Sequence, residues 1–263
     1  MTMQDGPLAG QVVFATGATK GLGADVALAL ARAGAKVAIV GRDAGAAAQV
    51  AVSIVAQGGA ALGLSADVTD AEALAGAAAQ AADHFGRLDR LLCCAGVGSP
   101  RQPVWESREA DYRACFDINV LGVMLAMRAV MPRLIAQREG RVVVIGGTYG
   151  HKGVAQAGLY AASKWAVRGL VKSAALEAGP HNVTVNVVAP GGIEGPRLTR
   201  LFQASADREG VPFDAVLQRF TARSALGRLV TPQDVAHAVI HLFGEGGRLV
   251  TGQDLVVDAG TLV

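Results

Sequence analysis

The chain has 263 residues, of which 51% are hydrophobic and 17% charged, and its formal net charge is +2. That is enough apolar material for one large core, and no Pro-, Ser- or charge-rich linker divides it, which predicts a single domain over residues 1–263. Scattered basic residues at near-zero net charge argue against a nucleic-acid partner. Cys93, Cys94 and Cys115 fit neither a disulfide framework nor a zinc ligand set and read as small core residues. Met1–Gly10 is short and polar without a signal-peptide core, and the most apolar helical stretch, Val26–Val40, is broken by Arg32 and Lys36. No membrane span and a reduced, cytoplasmic location are expected.

In chain order, short apolar runs alternate with amphipathic segments. Gln11–Thr16 is a predicted strand, Gly21–Ala33 a helix, Lys36–Val40 a strand and Ala44–Gln57 an Ala-rich helix. Ala61–Ala66, Arg90–Cys94, Arg141–Ile145 and Thr184–Val188 have the density of buried parallel strands, and Leu255–Val257 supplies a last one. Helices are expected over Ala71–Phe85, Ser107–Gln137, Gly158–Ala178 and Pro232–Phe243. Thr231, Pro232 and Asp234 give the last of these its cap, its first-turn proline and its acid. Alternation over the whole length predicts an α/β doubly wound parallel sheet, a Rossmann fold with helices on both faces and ligands at the carboxyl ends of its strands. Residues 196–227 break the rhythm; a substrate lid is expected there, the alternative being a surface excursion of one or two helices.

Thr16-Gly17-Ala18-Thr19-Lys20-Gly21-Leu22-Gly23 follows the first strand and opens the first helix. Glycines in that context allow a tight turn, close approach of a pyrophosphate and close helix–strand packing, while the helix start offers free N–H groups. At the end of the second strand an acid would bond the ribose 2′-OH of NAD, but the chain reads Gly41-Arg42. Arg42, with Lys20 in the phosphate loop, suits a 2′-phosphate, so NADP(H) is expected over NAD(H). Asp67-Val68 follows the third strand, within reach of the adenine edge.

Tyr160 and Lys164 are four apart on a predicted helix and share one face. A free phenol ionises near pH ~10, and a neighbouring ammonium favours the phenolate, which makes such a pair a candidate acid/base. A surface Tyr/Lys pair is the bland alternative.

Taken with the glycine loop, Asp67-Val68, Asn119 in Asp117-Ile118-Asn119-Val120, Pro190-Gly191 and Gly252–Gly260, the Tyr160-(x)3-Lys164 spacing resembles the short-chain dehydrogenase/reductase family over nearly the full length. The resemblance implies that Tyr160 exchanges a proton with the substrate oxygen during hydride transfer to or from a nicotinamide. By the same resemblance Lys164 holds the nicotinamide ribose, and Asn119 kinks its helix and holds a water in a proton relay. Pro190, Gly191 and Ile193 would line the nicotinamide pocket. The family's dimers and tetramers imply a homodimer or homotetramer, assembled through the helices at Ser107–Gln137 and Gly158–Ala178.

Departures from the family pattern are informative. The serine expected thirteen residues before the tyrosine is Gly147, within Ile145-Gly146-Gly147-Thr148-Tyr149-Gly150. Thr148 is a candidate substitute, or the substrate, a water or a backbone N–H does the polarising, or the protein binds cofactor with little turnover. The family's Asn-Asn-Ala-Gly is Cys93-Cys94-Ala95-Gly96, leaving contacts at Cys94 and Gly96 to backbone and apolar packing, and Gly195 replaces a carboxamide-bonding threonine. The expected activity is oxidation of a small-molecule secondary alcohol or reduction of a ketone, the alternative being an NADP-binding sensor or scaffold. Trp105, His151, Lys152, Arg197 and Arg200 either border the pocket, which would favour an acidic or polar substrate, or are ordinary loop residues.

Overall fold

β-branched and aliphatic residues concentrate in seven short segments, and in the computed structural model, which describes residues 6–263, each forms a strand: β1 (Val12–Thr16), β2 (Lys36–Gly41), β3 (Ala60–Ser65), β4 (Arg90–Cys93), β5 (Gly140–Ile145), β6 (Val183–Pro190) and β7 (Asp254–Val257). They join in one sheet in the order β3-β2-β1-β4-β5-β6-β7, every neighbouring pair parallel. β1 pairs with both β2 and β4, so the winding reverses there and a crevice opens at the carboxyl ends of these strands.

Successive strand side chains point to opposite faces, and this divides the core in two. Val12 and Phe14 of β1, with Val142 and Val144 of β5, pack beneath α3 (Ala71–Phe85), α5 (Gly122–Gln137) and α6 (Gly158–Ala178). Val13 and Ala15, with Val143 and Ile145, pack against α1 (Gly21–Arg32), α2 (Ala44–Ala56) and α9 (Pro232–Phe243). Asp70 caps α3 through two amides, and a reciprocal Thr231–Asp234 box starts α9 where the sequence predicts. The first five residues of the polar N-terminal stretch lie outside the described residues, while Leu8, within the same stretch, is wholly buried in the second core.

Two features depart from expectation, and a third region takes a definite form. The helix predicted over Ser107–Gln137 begins at Glu109 as α4 (Glu109–Phe116), widens into a π-helical turn at Asp117–Leu121, and continues as α5. As one run, Glu109–Gln137 is long and apolar enough by composition to cross a membrane, with mean hydropathy 1.6 over its most apolar 18 residues, whereas Val26–Val40 resolves into part of α1, a turn and part of β2. The α5 stripe of Val123, Ala126, Val130 and Leu134 is buried against the sheet. Residues 196–227 form α7 (Pro196–Glu209) and α8 (Phe213–Thr221), which share a small core of Phe202, Ala206 and Val216 apart from the two sheet cores.

Candidate active site

At the carboxyl end of β1 the backbone leaves room for a phosphate. Gly17 has φ +68°, and an added Cβ would lie 2.4 Å from the Ala95 amide nitrogen, so no side chain fits where the loops after β1 and β4 meet. Lys20, Thr19 and Leu22 surround the start of α1, and no side chain caps that helix. Its first N–H groups are therefore free for an anion, and open space faces Gly21. Gly23 packs on the Gly17 carbonyl. A dinucleotide's pyrophosphate fits this cradle.

The adenosine end lies beyond β2 and β3. Gly41 sits against the Thr19 side chain, and the exposed Arg42 guanidinium reaches Asp67 at 3.9 Å. Thr69 donates to Asp67 Oδ1 through its amide (2.9 Å) and its hydroxyl (2.8 Å). The amide bond leads in holding the Asp67 carboxyl below the usual carboxylate range; burial opposes it, and the Thr69 hydroxyl and Arg42 assist. Arg42, Asp67, Thr69 and Ile118 line a cavity of about 220 Å³. Val68 is buried against Gly122, so only its backbone can face a ligand. Cys94 lies at the β4 end, and burial raises its thiol to about 11 and that of Cys93 to about 12, so both are inert packing groups at neutral pH.

The catalytic candidates converge where β4, β5 and β6 end. Tyr160 projects from the first turn of α6, and Lys164 Nζ, one turn on and buried, lies 5.7 Å from the centre of its ring. Lys164 Nζ donates to the Ile145 carbonyl (3.0 Å), and an added Cβ on Gly96 would stand 3.7 Å from it. Asn119, in the π-helical turn, accepts from the Val97 amide (2.8 Å) and donates to the Val97 carbonyl (2.9 Å) and Ser163 Oγ (3.0 Å). The helix widens into a π-helical turn at Asn119, and the protein's own groups engage its side chain. Gly147 faces the phenol: a Cβ added there would lie 3.9 Å from Tyr160 Oη and 3.8 Å from the Pro190 carbonyl oxygen. Buried Thr148 follows in a short 3-10 turn. Gly191 packs on Asp258, and Ile193 bridges to Val230 beside the same strand end.

Several residues that shape this site carry no distinctive signal in the sequence. Ser163 Oγ donates to the Tyr160 carbonyl (2.8 Å) while accepting from Asn119, and so ties the tyrosine turn to the kink; its place inside the Tyr-Lys spacer was the one available hint. Tyr149 packs edge-on to Tyr160 at 5.7 Å and contacts Arg101 through its hydroxyl (3.4 Å). Arg168 holds the Gly150 carbonyl (2.5 Å) and pairs with Asp254, which Lys172 also reaches (3.3 Å). Burial alone would raise the Asp254 carboxyl, but these cations bring it below the usual range. Burial lowers the His151 imidazole, and Arg168 lowers it further, favouring the neutral ring.

The residues that either border the pocket or are ordinary loop residues divide. Lys152 is tied to the Thr261 carbonyl (3.3 Å), Arg200 to its own helix at Pro196, and Trp105 is 83% exposed on a short 3-10 turn. Arg197, in the first turn of α7, does reach the cleft: its Nη2 lies 3.1 Å from where a Cβ on Gly98 would be.

A family model described as enoyl-(acyl carrier protein) reductase matches residues 17–261. The chain is 33% identical to the short-chain reductase protein NovJ of Streptomyces niveus over 95% of its own length and 93% of that protein's. It is 34% identical to cis-4-hydroxycyclohexanecarboxylate dehydrogenase of Sinomonas cyclohexanicum, covering 95% and 96% of the two chains. Among solved structures, a variant of actinorhodin polyketide ketoreductase with NADPH superposes over 99% of both chains with a TM-score of 0.90 at 30% identity. A dinucleotide cradle, a Tyr-Lys pair at the strand ends and this likeness over the whole length make the chain an NAD(P)-dependent oxidoreductase of the short-chain dehydrogenase/reductase family.

Proposed function

We propose that the protein interconverts a secondary alcohol and a ketone with NADP(H) in preference to NAD(H), and that Tyr160 is its acid/base. The observation that carries this reading is the Tyr160 hydroxyl, which faces the opening left at Gly147 with buried Lys164 one turn behind it. The relatives' names, a ring-alcohol dehydrogenase and a ketoreductase, are consistent with such a substrate. The NADP preference rests on Arg42 next to Gly41, where no acid stands to bond a 2′-hydroxyl, and on Lys20 in the phosphate loop.

The cofactor, when bound, supplies or accepts the hydride at the carbonyl carbon. In the direction of reduction Tyr160 gives its proton to the carbonyl oxygen, and the Lys164 ammonium stabilises the phenolate left behind. Asn119 and Ser163 fix the turn that carries Tyr160. Gly17, Gly21 and Gly23 admit the pyrophosphate, with Thr19 and Leu22 at its sides. Arg42, Asp67 and Val68 border the adenosine, and Cys94, Gly96, Pro190, Gly191 and Ile193 border the nicotinamide. Thr148 supplies the hydroxyl that polarises the carbonyl in place of a serine at 147. Helices α7 and α8 form a lid over the substrate. Exposed Leu121, Met124, Trp165 and Leu176 on α5, its preceding turn and α6 suit burial in a homodimer or homotetramer, and we place the enzyme in the cytoplasm.

Gly147 also favours a second reading, a cofactor-binding sensor with little turnover. Mixing the NADPH complex with a panel of ketones and following loss of the reduced nicotinamide separates the two. NADPH is expected to be consumed by at least one ketone, and Tyr160→Phe to slow this by about 10²–10⁴, the range of general acid/base catalysis, with NADPH affinity changed less than about threefold. Undiminished turnover in the Phe variant would remove Tyr160 from the chemistry. No consumption by any ketone would favour the sensor.

A further inference from the structure

Two arginines from different parts of the chain share one loop at the mouth of the cleft, one carried by it and the other approaching it. Arg101 lies on the loop after β4 and is held by the Tyr149 hydroxyl at 3.4 Å, and Tyr149 in turn packs edge-on to Tyr160. Arg197 comes from the first turn of α7, on the other side of the cleft, and its Nη2 approaches Gly98, three residues before Arg101 on the same loop. A side chain at 98 would crowd that guanidinium, since even a Cβ would lie 3.1 Å from Nη2. The loop is itself tied to the segment before α6 by the bond from the Gln102 amide to the Gln156 carbonyl (3.1 Å). Among the described residues no carboxylate lies within ion-pair distance of Arg101 or Arg197, although nine other arginines are so paired. Arg200, one turn along α7, turns back to the Pro196 carbonyl, so Arg197 alone of that pair faces the loop.

We propose that Arg101 and Arg197 form an oxyanion-recognition pair that selects alcohols and ketones bearing a carboxylate or phosphate group remote from the reacting carbon. Two planar donor forks with no carboxylate partner among the described residues match such a group in geometry and charge. Their separate origins, the β4 loop and α7, mean that an oxyanion bridging them would draw the lid onto the loop while Tyr149 keeps Arg101 beside the catalytic tyrosine. The charge thus orients the substrate, and the neutral end of the molecule meets Tyr160. The inference rests on hydride transfer at Tyr160 as the function of the site.

A matched pair of probes tests it: 4-oxocyclohexanecarboxylate and its methyl ester, with NADPH, in the unmodified enzyme and in Arg101→Gln, Arg197→Gln and the double variant. The acid is expected to exceed the ester in kcat/KM by about 10- to 100-fold, as loss of charge-assisted hydrogen bonds implies, and the ratio to collapse toward one in the double variant. Arg→Lys at either position should restore part of it. Unchanged NADPH affinity in each variant would certify the fold and separate this site from the cofactor phosphates. A ratio near one in the unmodified enzyme, with the ester turned over, would overturn the inference and leave Tyr160 chemistry standing. If neither probe is reduced, binding of cyclohexanecarboxylate and of inorganic phosphate to the NADPH complex decides. Binding of either anion that weakens at least about tenfold in the double variant supports the pair and identifies the preferred oxyanion, and equal or absent binding of both contradicts it.

Discussion

The glycines of the cofactor half and the glycine of the substrate half are there for opposite reasons. At Gly17 and Gly23 an added Cβ would strike backbone at 2.4 and 2.1 Å, so close packing of β1, α1 and the β4 loop allows nothing else. At Gly147 the nearest atoms to such a Cβ are 3.8 and 3.9 Å away, and one of them is the Tyr160 hydroxyl. Packing therefore dictates the first pair, whereas at Gly147 the space is open and only the backbone, at φ +155°, favours glycine. A cradle for a common dinucleotide is built from backbone and tolerates little change. A pocket that distinguishes substrates is built from side chains, and position 147 offers none.

Substitution of these glycines can break or sharpen that contrast. Gly17→Ala must move the β4 loop or abandon the turn at φ +68°, and is expected to weaken NADPH binding by at least about 100-fold, since a strained, clashing backbone costs several kcal/mol. Titration of NADPH fluorescence measures it, and near-normal affinity would show that the loop is less fixed than its distances imply. Arg42→Asp removes the guanidinium nearest the expected 2′-phosphate and is expected to lower the preference for NADPH over NADH by about tenfold or more, as loss of a charge-assisted contact predicts. Equal affinity for both cofactors in the unmodified protein would overturn the preference itself. Gly147→Ser should do least: the space accepts it, and relaxing φ from +155° is expected to cost about 1 kcal/mol. Cofactor affinity within about threefold of normal and faster reduction of small ketones are expected. A folding failure would mean that Gly147 is dictated by packing after all.

Much of the cofactor half was legible in the sequence because its signals are local. The glycine spacing, the β-branched runs and the Thr231–Asp234 box act within a few residues, and α1 and α9 begin where those signals put them. The substrate half was less legible because its determinants meet only in three dimensions. No local pattern distinguishes the π-helical turn at Asp117–Leu121 from a regular helix; it becomes evident where Asn119 turns to Val97 and Ser163. The excursion at 196–227 could be recognised as foreign to the alternation, but not that Arg197 would lie over Gly98. Arg101 carries no local signal for the same reason, since its partner Tyr149 is 48 residues away. Leu8 likewise sits in a polar stretch, and only the fold reveals that it is buried.

The central proposal is that Thr148 polarises the substrate oxygen in front of Tyr160, position 147 carrying no hydroxyl. Thr148→Val keeps the shape of the side chain and deletes only its hydroxyl, so the measurement is kcat for ketone reduction in that variant, with NADPH affinity determined alongside. A loss of about 10²–10³ in kcat, the cost of one oxyanion donor, with NADPH affinity within about threefold of the parent, is the predicted result. An unchanged kcat would contradict it and remove Thr148 from the site.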